Sequence, residues 1–190
     1  MTNLTLDLQS TELTDDQFYQ LCIHNRNLRF ERNLRGDLII MSPVGGETSN
    51  RNGRISQQLF NWADADGTGI PFDSSAGFKL PNGADRSPDA AWIPLERWNA
   101  LNSTQKQKFL PLCPDFVIEL RSPSDTLTAI RQKMEEYREN GTRLGWLINR
   151  QGKQVEIYRV GKEVEVLNSP TTLSGEDVLP GFSLNLELIW

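Results

Sequence analysis

The chain has 190 residues, of which 37% are hydrophobic and 24% are charged, and this balance is typical of a soluble globular protein. No segment approaches the roughly 18 apolar residues of a membrane span, and residues 1–7 lack the basic start and apolar run of a secretory signal. The net charge of −5 argues against a protein whose main task is tight, non-specific binding of nucleic acid. It does not exclude a nuclease, because a bound metal and a local basic patch can outweigh the mean charge.

The N-terminal half predicts alternating helices and strands, and we expect one cytoplasmic domain over residues 1–190 with a loose arm at 1–13. Thr14 and Gln17 have the spacing of a capping box, which opens a helix. Two strands follow around a turn at Arg35-Gly36. These two strands cover residues 28–34 and 37–41. The next predicted elements are a helix over 50–63, strands over 77–80 and 90–93, and short helical turns within 94–112.

The C-terminal half predicts a strand–helix–strand unit. Residues 115–120 form an apolar strand, a helix over 124–140 follows with Ser124 or Asp125 as its cap, and residues 144–148 form a central strand. This order implies a right-handed parallel crossover. Residues 154–159 and 163–167 then form a meander. We therefore predict an α+β (mixed α/β) domain, with a mixed and mostly antiparallel sheet, flanking helices and one such crossover.

Two acidic residues, Asp89 and Glu119, occupy apolar segments that resemble strands. Acids are almost never fully buried unless they are paired or bind a metal. Because side chains alternate along a strand, Glu119 shares a face with Arg121. A structural Glu119–Arg121 ion pair at a sheet edge is one alternative to a functional role. Similarly, Ser87-Pro88-Asp89 is a common turn sequence, so Asp89 can be a turn residue.

Lys133 lies at the margin of the apolar stripe of the helix that follows Glu119. At about 100° per residue, this stripe covers an arc of roughly 80°, and Lys133 falls about 40° beyond it. Lys133 therefore faces the sheet that carries Glu119, unless it only snorkels from the helix edge. Two carboxylates suit Mg2+, which keeps several waters, and the backbone carbonyl of Leu120 can complete the coordination. A nearby lysine can orient a water or stabilise the transition state of hydrolysis.

Three stretches of the chain, in this order and spacing, resemble a known family. They read Arg29-Phe30-Glu31 to Met41-Ser42-Pro43, Ser87-Pro88-Asp89, and Pro114 to Asp125, followed by Lys133 to Tyr137, Gly141, and Leu144 to Ile148. Together they resemble the bacterial restriction-endonuclease family of the PD-(D/E)xK nuclease superfamily, from about residue 14 to the C-terminus. The resemblance implies a restriction-endonuclease-like core and a Mg2+-dependent DNA endonuclease, with Mn2+ as a substitute cation. It also implies a homodimer. The lack of a long apolar segment in the sequence predicts no membrane partner.

The resemblance also implies roles for individual residues. Asp89 matches the metal-binding aspartate of the family, and Glu119 matches the acid of the D/E-x-K half-motif. The lysine position of that motif holds Arg121, and Lys133 on the next helix is the implied replacement. The implied catalytic and metal-binding groups are Asp89, Glu119, Lys133 and the carbonyl of Leu120.

Other residues and functions are secondary. Arg121 is a planar, permanently charged fork, so we expect it to contact phosphate or Glu119. Glu31 and Glu47 are expected as accessory acids. One alternative is a non-catalytic nucleic-acid-binding or regulatory relative, which Arg121 in the lysine position and the negative net charge favour. A glycosidase acid/base pair is another alternative, although Lys133 has no role in it.

Overall fold

A computed structural model of the chain describes residues 4–8, 11, 13–41 and 43–190. The helices are α1 (Asp15–His24), α2 (Gly46–Asp66), α3 (Leu95–Ala100), α4 (Ser103–Lys106) and α5 (Leu127–Glu139), with a 3-10 turn at Arg150–Gly152. The strands are β1 (Leu4–Leu6), β2 (Arg29–Arg32), β3 (Leu38–Met41), β4 (Gly69–Asp73), β5 (Phe78–Lys79), β6 (Asp85–Arg86), β7 (Ala90–Pro94), β8 (Phe116–Leu120), β9 (Leu144–Asn149), β10 (Gln154–Arg159), β11 (Glu165–Asn168), β12 (Thr172–Ser174) and β13 (Ser183–Asn185). None of the helices in these ranges is long and apolar enough to cross a bilayer.

The strands form two larger sheets and one small one. The central sheet has the order β11-β10-β9-β8-β7-β4, and within it only β8 and β9 pair in parallel. The second sheet is antiparallel and has the order β1-β3-β2-β6-β5, while β12 pairs with β13. Helix α5 connects the parallel pair. The predicted mixed α+β class with one strand–helix–strand crossover is therefore confirmed.

The central sheet separates two apolar clusters, and this separation positions Glu119. On one face, Phe116 and Ile118 pack with residues of α2 and of the C-terminal segment. On the other face, Val117 packs with Met134 and other residues of α5. Because side chains alternate along β8, Glu119 lies on the same face as Val117, beneath α5.

The structure confirms several predicted elements and corrects others. Thr14 caps α1 through a capping box, as predicted. Helix α2 begins at Gly46, earlier than the predicted residue 50, and the cap of α5 is Thr126 rather than Ser124 or Asp125. Strand β4, which contains Pro71, was not predicted from the sequence. It pairs only with β7, and an edge strand tolerates a proline.

Part of the predicted loose arm is a strand. Residues 4–6 form β1, which pairs with β3 along its full length. Residues 1–3, 9, 10 and 12 of the predicted arm lie outside the described residues, as does Ser42.

Helix α2 supports the central sheet through Leu59, which is fully buried in the cluster on that face. We expect Leu59→Ala to lower the free energy of unfolding by about 2–5 kcal/mol, because the substitution leaves a cavity. Urea unfolding followed by circular dichroism measures this change. Phe60→Ala is the matched control, because Phe60 is the next residue of the same helix and is 36% exposed. An equal loss of unfolding free energy in both variants would contradict the orientation of α2, in which Leu59 faces the sheet and Phe60 faces the solvent.

Candidate functional site

A cavity of about 830 Å3 opens between the two larger sheets and α5. Of the five acids in its lining, three come from three different segments of the sheets: Glu31 of β2, Asp89 immediately before β7, and Glu119 of β8. Leu120 and Lys133 also line it. The residues predicted to be catalytic or metal-binding therefore share one cavity, although they are far apart in the sequence.

Lys133 lies between two of these acids. Its Nζ atom is 2.7 Å from Oε1 of Glu119 and 2.8 Å from Oε1 of Glu31. Burial alone would lower the pKa of the Lys133 ammonium, but the two carboxylates outweigh burial and raise this pKa above its ordinary value. Lys133 is therefore a cation that faces the sheet, as its place on the helix stripe predicts.

Asp89 is held beside Glu119 by two hydrogen bonds. The backbone N–H of Leu120 donates to Oδ2 of Asp89 at 2.8 Å, and Nδ2 of Asn52 donates to Oδ1 at 2.7 Å. The register of β7 and β8 pairs Ala90 with Ile118, so Asp89 and Glu119 follow as the next pair. Burial raises the pKa of Asp89. The two carboxylates thus lie together at the end of β8.

The charge of Glu119 is only partly compensated. Its Oε1 atom accepts hydrogen bonds from Lys133 and from the Tyr137 hydroxyl, the latter at 3.1 Å. Burial raises the pKa of Glu119, Lys133 opposes this effect, and the nearby carboxylates of Asp89 and Glu31 add to it. Within the described residues no donor reaches Oε2 of Glu119. This carboxylate can therefore accept a further positive ligand.

Glu31 differs from Glu119 because two cations contact it. Nη1 of Arg86 lies 3.0 Å from Oε2 of Glu31, and the backbone N–H of Ser87 donates to Oε1 at 2.9 Å. Although burial opposes ionisation, Lys133 and Arg86 hold the pKa of Glu31 well below its ordinary value. Glu31 therefore stays an anion within the cluster, and its role as an accessory acid stays a prediction.

Sequence reasoning did not identify Arg86, Glu136 or Tyr137 as part of this cluster. Nε of Arg86 lies 2.5 Å from Oε2 of Glu136 on α5. Arg86 gave no local signal, since its partners are 50 or more residues away along the chain. Tyr137 did give one, because it lies one helical turn after Lys133 on the same stripe.

Two predicted site residues lie elsewhere. Arg121 donates to Oδ1 of Asn149 at 3.1 Å and to the carbonyl of Asp125 at 3.3 Å, so its predicted contact with Glu119 is wrong. Arg121 follows the last residue of β8, where strand alternation no longer fixes its direction. Glu47 is 80% exposed and pairs with Arg51 and Arg150, so its predicted approach to the site is also wrong.

The donor set suits Mg2+ rather than a metal held wholly by side chains. Within residues 4–8, 11, 13–41 and 43–190, no group of three carboxylate, imidazole or thiol side chains is placed to hold a metal ion. Mg2+ keeps several waters and needs only one or two carboxylates. The acids of the cluster outnumber its cations by two, since they are Asp89, Glu119, Glu31 and Glu136 against Lys133 and Arg86. One divalent cation would remove this excess.

Comparisons with known proteins agree with the fold. A crystal structure of a putative nuclease belonging to DUF820, from Anabaena variabilis ATCC 29413, superimposes with a TM-score of 0.72 and 18% sequence identity. The match covers 84% of this chain and 88% of that one, and at this identity it shows the fold alone. No curated protein sequence matches the chain.

A family model gives the assignment. The model of the Uma2 family, described as "Putative restriction endonuclease", matches residues 15–187. This range includes every residue of the site described above. The chain therefore belongs to the Uma2 family and has a restriction-endonuclease-like fold.

Proposed function

We propose that this protein is a Mg2+-dependent endonuclease that hydrolyses phosphodiester bonds of DNA, with Mn2+ as a substitute cation. The observation that carries the proposal is the convergence of Asp89, Glu119 and Lys133 at one cavity. Membership in a family described as "Putative restriction endonuclease" supports the same class of reaction. The predicted homodimer and the cytoplasmic location stay predictions.

Asp89, Glu119 and the carbonyl of Leu120 would hold the cation. When bound, it would lower the pKa of a water and stabilise charge on the phosphoryl oxygens. Two N–H groups of Lys133 are directed to Glu119 and Glu31. The third faces the carbonyl oxygen of Ser87, which lies 3.5 Å from Nζ and is therefore a weak partner. We assign this third N–H group to the attacking water or to a phosphate oxygen, either of which can replace so weak a contact.

The position of Lys133 also bears on the non-catalytic alternative. That alternative is favoured by Arg121 in the lysine position of the motif and by the negative net charge. Because Lys133 contacts Glu119 and Arg121 contacts Asn149, the substitution at Arg121 is no argument against catalysis. The glycosidase alternative gives no role to the cation between Glu119 and Glu31. We therefore retain the nuclease.

The first test removes the charge of Glu119 without changing its size. We expect Glu119→Gln to lower the rate of plasmid nicking by about 100-fold or more, because a ligand of the cation and the partner of Lys133 is lost. Conversion of supercoiled to nicked plasmid in Mg2+ measures this rate. The control is Glu156→Gln, since Glu156 is also buried and paired with Arg131 but does not line the cavity. Equal nicking by the wild type and both variants would indicate a contaminating nuclease.

The second test detects the cation without relying on activity. We expect Mg2+ or Mn2+ to raise the melting temperature of EDTA-treated protein, because a ligand that binds only the folded state stabilises it, by about 2.7 kcal/mol at 100 times its Kd. Differential scanning fluorimetry measures the shift. The Asp89→Asn/Glu119→Gln double variant should show no shift. The same shift in both proteins would place the cation elsewhere.

The third test separates stability from function with two tyrosines. The hydroxyl of Tyr137 donates to Glu119 at 3.1 Å, and that of Tyr158 donates to Glu156 at 2.8 Å, both buried pairs. Each Tyr→Phe change should lower the free energy of unfolding by about 1.5–3 kcal/mol. Only Tyr137→Phe should also lower the rate of nicking or the affinity for Mn2+, by about 10–100-fold. The reason is that Glu119, a proposed ligand of the cation, loses the hydrogen bond that orients it. Nicking that falls equally in both variants would refute this role of Tyr137.

A further inference from the structure

We propose that Arg29 binds a phosphate of the DNA strand at the mouth of the cavity. The inference rests on the proposed function and names a phosphate contact that lines the cavity, unlike Arg121, whose predicted phosphate contact stays a prediction. It concerns binding of the substrate rather than the chemical step.

The charges of the cavity distinguish Arg29 from the other cations there. The four cationic side chains in the lining are Arg29, Arg35, Arg86 and Lys133. Arg35 pairs with Asp37 at 2.7 Å, Arg86 with Glu31 at 3.0 Å, and Lys133 with Glu119 at 2.7 Å. Arg29 instead donates to the carbonyl of Ser74. Within the described part of the chain, no carboxylate forms an ion pair with Arg29, and its charge acts on Asp89 only through space, so the guanidinium remains available to an anion.

The strand that carries Arg29 places it beside the acids. Arg29 and Glu31 are two residues apart on β2, so both side chains lie on the face of this strand that borders the cavity. Glu31 accepts from the backbone N–H of Ser87, which is two residues before Asp89. Glu31 is buried, whereas Arg29 at the start of the strand is exposed. Arg29 therefore lies at the entrance and the acids lie at the floor.

The chemistry of the guanidinium fits a phosphodiester. Its planar fork of N–H groups matches two oxygens of a phosphate, and charge-assisted bonds of this kind are stronger than neutral ones. Replacing the neutral Ser74 carbonyl by a phosphate oxygen is therefore favourable. A protein with a net charge of −5 also needs a local cation where the DNA backbone approaches the acids.

Arg29→Ala tests the inference through binding. Affinity for a fluorescein-labelled DNA duplex is measured by anisotropy over a range of salt concentrations, in the Glu119→Gln background so that cleavage does not interfere. We expect about tenfold weaker binding and a slope of log K against log salt that is smaller by about 1, because one phosphate contact is lost. Arg29→Lys should retain the slope and lose part of the affinity, since it keeps the charge without the fork.

Arg26→Ala is the matched control. Arg26 is also exposed, its guanidinium also donates to a backbone carbonyl, that of Ile23 at 3.2 Å, and it does not line the cavity. We expect this variant to keep the slope and affinity of its parent. The inference is overturned if Arg29→Ala binds like its parent, or if Arg26→Ala weakens binding equally.

Plasmid nicking by the otherwise unmodified protein separates the two proposals. If it nicks DNA and Arg29→Ala leaves binding unchanged, the role of Arg29 is wrong and the nuclease stands. If it binds DNA through Arg29 without nicking, the nuclease is wrong and the contact stands. If it neither binds nor nicks DNA, both are wrong.

Discussion

The ammonium of Lys133 lies within 2.8 Å of both Glu119 and Glu31, and this double ion pair joins α5 to both larger sheets. All three side chains are largely shielded from water, so none of them can lose a partner cheaply. Breaking a buried pair by removing one member costs about 3–5 kcal/mol, because a charge is left without compensation. The position of α5 over β8 and the shape of the cavity both depend on this arrangement.

Arg86 extends the same arrangement to a second acid on α5. It contacts Glu31 on one side and Glu136 on the other, so the side chains alternate in charge from Glu119 to Glu136. In this series Lys133 and Arg86 each form ion pairs with two acids. Asp89 accepts the hydrogen bonds of Asn52 and Leu120, while the cations Lys133 and Arg29 act on it only through space, so the uncompensated charge gathers where Asp89 and Glu119 meet. The location of the proposed cation therefore follows from how the fixed charges are distributed.

The sequence predicts the half of this site that depends on local periodicity. Alternation along β8 places Glu119 on one face, and the helix stripe places Lys133 above it. The contact between Arg86 and Glu31 depends on β2 pairing with β6 at a single residue pair, Arg32 with Asp85, which leaves no periodic signal.

The wrong predictions share a physical cause. Arg121 lies just beyond the end of β8, and Glu47 lies in the first turn of a helix whose start was placed too late. Element boundaries are where periodicity stops constraining side chains, and both residues lie at such boundaries. Strand β4, which was not predicted, contains Pro71 and lies at an edge of its sheet, where a proline is tolerated.

The crossover from β8 through α5 to β9 has a consequence for the order of folding. Glu119 and Lys133 both belong to residues 116–149, a short continuous unit. Asp89 and Glu31 come from more distant segments, and contacts between distant segments form more slowly because loop closure costs entropy. We expect the lysine and one acid to meet early, and the second carboxylate to arrive only when the sheets dock. A chain that is still folding, including one emerging from the ribosome, would then lack the complete set of side chains of the proposed site.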